Sequence, residues 1–141
     1  MAEQSQTSVI RLVTFVLDGQ RYGVDVKLVR EILDSVDLSP TVHAPHYVKG
    51  LLNLRGASVP VVSLRRRFGL PEQGDSDAAC IAVIEHDRAL CGFLFDDIAD
   101  VIRIKRRDIS PLLDSAARPW LSGIVDMGHQ LGMVLNLHQL A

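Results

Sequence analysis

In Leu51 to Leu64, LLNLRGASVPVVSL, Arg55 stands at a short break, with Gly56 after it, between two apolar runs suited to burial. A guanidinium is a planar fork that takes two carboxylate or carbonyl oxygens at fixed geometry, so the chemistry on offer is recognition. The other reactive types are not arranged for catalysis. The five histidines are scattered; His43 and His46 have loop spacing, with no cysteine or carboxylate beside them to complete a metal site. Asp96, Asp97 and Asp100 form an acidic patch without a burial signal that would raise one pKa, which reads as a solvated face. The basic runs Arg65–Arg67 and Lys105–Arg107 read as solvated strand ends. No serine lies in a nucleophile elbow, and no glycine-rich loop could cradle a phosphate. Cys80 and Cys91 are expected to be small buried thiols.

Composition sets the frame for that guanidinium. The chain has 141 residues, 48% hydrophobic and 23% charged, a globular balance. A net charge of −2 and 5% aromatic content argue against nucleic acid, which usually needs a broad basic surface and stacking platforms. No apolar run approaches the roughly 18 residues that span a bilayer. The opening MAEQSQTS is polar and lacks a signal core, so a cytoplasmic location without membrane insertion is expected. Trp120, the single tryptophan, is expected to plug the core or to anchor an interface.

Short valine- and isoleucine-rich runs separated by turn residues predict a mainly β chain. Strands are expected over Arg11 to Leu17 and Tyr22 to Val26, joined by the hairpin signal Asp18-Gly19. Val26 to Leu33 shifts to helical spacing, with Leu28, Val29 and Ile32 on one face and Arg30 and Glu31 outward. Val48 to Leu54 and Ser58 to Leu64 are strands, and Pro60 suggests an edge or a bulge. Residues 65–71 predict a short helical turn or a loop, and 72–79 a mobile polar loop. Cys80 to His86 and Leu90 to Phe95 are strands, the second continuing through Asp96 to Ile104. Residues 112–120 predict an amphipathic turn, and Leu121 to Asp126 with Leu131 to Leu137 a last hairpin.

The second set of strands repeats the first. Gly50-Leu51-Leu52-Asn53-Leu54 aligns with Gly123-Ile124-Val125-Asp126-Met127, and Val61-Val62-Ser63-Leu64 with Val134-Leu135-Asn136-Leu137, both at an offset of 73. Gly23-Val24 and Val29 to Leu33 match Gly92-Phe93 and Ile98 to Ile102 at an offset of 69. Two homologous halves follow, each too small to bury a generous core alone. They should pack on each other as two small closed barrels, with a first barrel over about 20–75, a second over about 80–125, and chain ends crossing between them.

The stretch Val48 to Leu64 resembles the signature of CheW-like chemotaxis coupling proteins: a glycine, two apolar residues, Asn-Leu-Arg-Gly, then Val-Pro-Val and a Leu-Arg pair. Tyr22-Gly23-Val24 with Val29-Arg30-Glu31-Ile32, and Phe95 to Val101 in the second half, resemble the family's other markers. The resemblance runs from about residue 11 to 140. It implies two Src-homology-3-like five-stranded β-barrels packed on each other, with short helices, in a single domain over 1–141. It also implies a non-enzymatic, cofactor-free adaptor that couples chemoreceptor cytoplasmic tips to the regulatory domain of a CheA-type histidine kinase. Other CheW-like proteins would join it in rings, and it would be cytoplasmic but recruited to membrane receptor arrays. The alternative is a decoy or regulator that competes for one partner in a pilus or surface-sensing system.

The resemblance also carries partner-binding roles onto this sequence. Val29 and Glu31 match a contact segment of the first half; Gly50, Asn53, Arg55 and Gly56 match a receptor-linked hairpin; Gly92, Ile98 and Val101 match second-half positions. Gly50 and Gly92 either allow close backbone approach or merely fit the barrel. Arg55 either meets a partner or pairs within the chain, Glu31 being a candidate, or does both. Ser63 departs from the family pattern, standing where an acidic residue is usual.

Overall fold

The computed structural model describes residues 8–34, 37–72, 79–112 and 117–141. The loop expected over 72–79 falls largely outside these, as do the first seven residues and residues 113–116 of the turn expected over 112–120. Ten strands form two five-stranded sheets. In chain order they are β1 (Val9–Leu17), β2 (Gln20–Asp25), β3 (Glu31–Asp34), β4 (Val48–Leu54), β5 (Ala57–Ser63), β6 (Cys80–His86), β7 (Ala89–Phe95), β8 (Asp97–Lys105), β9 (Leu121–Asp126) and β10 (Leu131–Leu135). One short helix, α1 (Leu64–Arg67), follows β5, where the Ser63 hydroxyl caps it by accepting from the Arg66 N–H.

The first sheet runs β8-β1-β2-β10-β9 and the second β3-β6-β7-β5-β4. Under the repeat, β8 corresponds to β3, β1 to β6, β2 to β7, β10 to β5 and β9 to β4, so the two orders are the same. Each sheet closes at matching places. Ser39, beyond β3, exchanges two backbone hydrogen bonds with Leu51 of β4; Ser110, beyond β8, does the same with Ile124 of β9. Bringing the two edges together removes the exposed edges of an open sheet and makes a barrel.

Strand membership departs from two contiguous halves over 20–75 and 80–125. The second sheet takes residues 31–95, while the first combines 9–25 with 97–135. Each sheet therefore holds two strands of one repeat and three of the other. The segment after Phe95 does not prolong β7: the chain turns at Asp96 and enters the other sheet as β8, antiparallel to β1. The helix expected over Val26 to Leu33 is only a 3-10 turn at Val26–Leu28, followed by β3. Pairing of β3 with β6 overrides that helical spacing. Pro60 lies in β5 opposite Leu51, one residue before the parallel pairing of Val61 with Gly92 begins, so its missing N–H costs no bond on that side.

Three apolar cores result. Ile10, Leu12, Ile104, Val125, Met127 and Val134 fill the first barrel, and Leu52, Val59, Val61, Ile81 and Val83 the second. The largest core lies between the sheets and draws on both, with Phe15 of β1 stacked on Phe95 of β7 at 4.2 Å. Trp120 packs against this shared core and stacks on Phe68 at 4.7 Å, the plug expected of it. Because neither barrel encloses enough apolar area alone, burial between the sheets is what makes the fold one cooperative unit.

Candidate partner interface

Arg55 sits at the tip of the β4–β5 hairpin with φ +49°, and Gly56 follows at +89°. A two-residue hairpin with both central residues at positive φ is the type I′ turn that matches strand twist. Gly56 adopts that conformation freely, whereas arginine does so at a steric cost. The Asn53 side chain locks the turn by accepting from the Gly56 N–H at 3.1 Å. Asp126 accepts from the Gly128 N–H at 2.8 Å at the repeat-equivalent tip. The Asn-Leu-Arg-Gly block is thus a device that holds an arginine out at a strained tip.

The arginine is aimed as well as held. Its two Nη groups donate to the two carboxylate oxygens of Glu31, at 3.2 and 2.8 Å. Glu31 opens β3, and β3 and β4 are the outer strands of the second sheet, so the pair spans the closure of that barrel. The hydrogen bonds from Arg55 hold the Glu31 carboxyl below its ordinary pKa, against a smaller opposing effect of desolvation. Arg55 keeps 72% of its side chain exposed, so the internal pair orients the guanidinium without hiding it. Arg30, Glu31, Leu54, Arg55, Val83 and Leu90 line a depression of about 310 Å³ there.

Ile98 and Val101 are exposed on β8, at 41% and 58%. Three residues apart on a regular strand, they would face opposite sides. A β-bulge changes that: Phe15 opposes Ile98 and Val13 opposes Val101, leaving Ala99 and Asp100 against Thr14 alone. Thr14 is fully buried; its hydroxyl donates to the Asp100 carbonyl at 3.0 Å and accepts from the Asp100 N–H at 3.0 Å. Val13 and Phe15 face the inter-sheet core, so Ile98 and Val101 extend that apolar face to the uncovered edge strand. On β3, Ile32 opposes the core residue Ala82 and is 37% exposed, and Val29 packs partly against the same core. Val29 and Ile32 are the repeat equivalents of Ile98 and Val101. Ile32 escaped the sequence reading because a helical register turned it inward.

Gly50 and Gly92 are buried, not presented. A Cβ on Gly50 would come within 2.8 Å of the Ser39 carbonyl oxygen that closes the barrel. One on Gly92 would meet Ile81 Cγ2 at 2.9 Å. Both glycines fit backbone into the barrel, and any effect on a partner passes through barrel geometry.

Two solvated-charge expectations are corrected. Arg65 is buried, its Nε and Nη2 donating to the Asp96 carboxylate at 2.8 and 2.7 Å and its Nη1 to the Pro71 carbonyl at 2.6 Å. Asp96, at the crossing from one sheet to the other, also accepts from the Asp18 N–H. Burial pushes the Asp96 pKa up, but these hydrogen bonds outweigh it and the net direction is down. The basic run had hidden one arginine turned inward by α1. Among the described residues no three potential metal ligands cluster. His86 and His138 meet Nδ1 to Nδ1 at 3.1 Å, tying the C-terminal 3-10 turn to β6. Cys80 and Cys91 are unbridged, their thiols pushed by burial to about 12 and about 11.

The family model of the CheW-like domain matches residues 11–141. The chain belongs to the CheW-like family. It is 33% identical over 137 residues to the chemotaxis protein CheW of Treponema pallidum, covering 92% of this chain and 81% of that one. It is 34% identical over 106 residues to the CheW of Rhizobium meliloti, covering 75% and 68%. The crystal structure of the scaffolding protein TtCheW from Thermoanaerobacter tengcongensis superposes with a TM-score of 0.86 at 27% identity, over 94% of this chain and 92% of that one. The twin five-stranded barrels expected of a CheW-like protein are those observed. As a CheW-like scaffold the chain is an adaptor of chemotaxis signalling. The competing-regulator alternative is not favoured.

Proposed function

We propose that this adaptor joins the cytoplasmic tips of chemoreceptors to the regulatory domain of a CheA-type histidine kinase, with other CheW-like proteins completing rings, and makes or breaks no bond. It works in the cytoplasm and is recruited to membrane receptor arrays. Arg55, Asn53, Gly56 and Glu31 form one contact unit, and Ile98, Val101 and Val29 supply apolar edges. Gly50 and Gly92 shape the barrels beneath them. The observation that carries this reading is an arginine kept at positive φ and aimed by Glu31 while still exposed. Turn chemistry alone would favour glycine or asparagine there, so the side chain is retained for what it meets.

The test is binding of the full chain to a CheA regulatory domain and to a receptor cytoplasmic fragment, by calorimetry. Wild type should bind the kinase domain at tens of micromolar or tighter. Arg55→Asn suits the turn, so its Tm should stay within about 2 °C of wild type, while binding to at least one partner weakens. Unchanged binding to both partners refutes the role of Arg55. Absence of wild-type binding to either refutes the adaptor reading.

A further inference from the structure

A second surface, remote in sequence from the Arg55 tip, is not absorbed by that reading. Arg11, Lys27, Arg103 and Arg106 line one cavity of about 370 Å³, where the start of β1, the end of β8 and the 3-10 turn after β2 meet. All four are exposed, and none has a side-chain ion-pair partner among the described residues. Arg11 and Arg103 lie directly opposite each other in the β1–β8 register. Like charges facing each other across strands destabilise a sheet. The chain as a whole carries −2, yet among the described residues this cavity is lined by four cations and one carboxylate, that of Asp25.

The fold does not require those cations. At the offset of 69, Arg103 corresponds to Asp34 and Arg106 to Asp37, while Arg11 corresponds to Cys80. The correspondence is geometric too: Asp34 opposes Cys80 in the β3–β6 register just as Arg103 opposes Arg11. One barrel thus builds this end with acids and the other with bases.

We infer that this pocket docks an acidic peptide segment of a protein partner, in which two or more carboxylates flank an aliphatic side chain. Three guanidinium forks suit carboxylates bidentately. Val9 and Val26 line the same cavity, Val9 being half exposed, and offer apolar contact. Asp25 would repel a bare phosphate but can accept from a peptide N–H. Among the described residues no aromatic side chain lines the cavity to stack a nucleotide base. The inference rests on the adaptor reading only in that the ligand is a protein segment.

The test titrates the ¹⁵N-labelled full chain with the blocked peptide Glu-Asp-Leu-Glu-Asp, following amide shifts by NMR. Shifts are expected at Val9 to Arg11, Lys27 and Arg103 to Arg106, weakening as salt rises. The doubly substituted chain Arg11→Gln, Arg103→Gln should bind about tenfold more weakly, and Arg88→Asn, in the β6–β7 turn away from the cavity, should bind as wild type does. If the double variant loses its native Tm, Arg106→Gln alone, in an exposed 3-10 turn, gives the same reading. Equal binding of the uncharged peptide Gln-Asn-Leu-Gln-Asn, or shifts mapping elsewhere, overturns the inference. So does displacement by sodium pyrophosphate at concentrations no higher than the peptide's, which would mark a phosphate site. Wild-type self-association through these residues, seen by sedimentation, would assign the pocket to a second copy. Each result is independent of kinase binding.

Discussion

Arg65→Met tests the junction where the chain crosses between sheets. The side chain is 9% exposed in wild type and donates to both oxygens of Asp96, to the Pro71 carbonyl and, at 3.3 Å, to Asp18. Methionine keeps much of the aliphatic volume but leaves the Asp96 carboxylate and a carbonyl without their donor. Breaking a buried ion pair by removing one partner costs about 3–5 kcal/mol. The Asp96 side chain is one-fifth exposed and keeps the Asp18 N–H, which lowers the expectation to about 2–3 kcal/mol. For a domain of this size that is a fall in Tm of roughly 6–12 °C. Urea unfolding followed by Trp120 fluorescence measures it directly, since Trp120 is the sole tryptophan and stacks on Phe68 just after α1. Adding Asp96→Asn should restore part of the loss by removing the orphaned charge. Acid sets the sign independently. The folded pKa of Asp96 lies below its unfolded value of about 4, so the pair's contribution is present above about pH 4 and is lost as pH falls further. Wild type should lose stability across that window more steeply than Arg65→Met. A cost under about 1 kcal/mol, or parallel acid profiles, would refute the reasoning.

Gly123→Ala should destabilise by about 1–3 kcal/mol in the same urea assay, because the new Cβ meets the Ser110 carbonyl oxygen at 2.4 Å and the barrel-closing bridge must shift. Thr14→Val removes the hydroxyl that holds the β8 bulge and should cost about 1–2 kcal/mol, with amide shifts at Ala99 to Val101 showing the bulge relax. Native Cys80 and Cys91, with thiols at about 12 and about 11, should resist iodoacetamide at pH 8, while both alkylate in urea, as mass spectrometry would show.

What was legible in the sequence was local or repetitive. Asp18-Gly19 and Arg55-Gly56 mark hairpin turns whose backbones need positive φ, and both are found so. The offset of 73 joins β4–β5 to β9–β10 because duplicated strands keep their burial pattern even as residues change. The helix expected over Val26 to Leu33 failed because a few apolar residues fit either period, and long-range pairing with β6 decided between them. Arg65 was misplaced for a related reason: three consecutive arginines look alike in sequence, and only α1 turns one of them towards Asp96.

By itself the sequence determined a duplicated β chain with an arginine at a glycine-assisted hairpin tip, because turn geometry and repeats depend on residues near one another. Tertiary structure alone decided which repeat's strands fill which sheet, that the Thr14 bulge brings Ile98 and Val101 onto one face, and that Arg55 is aimed by Glu31. It also decided that Arg11 and Arg103 confront each other across β1 and β8. Those outcomes depend on pairing between segments tens of residues apart, where the closure of a barrel, and not local preference, fixes the register.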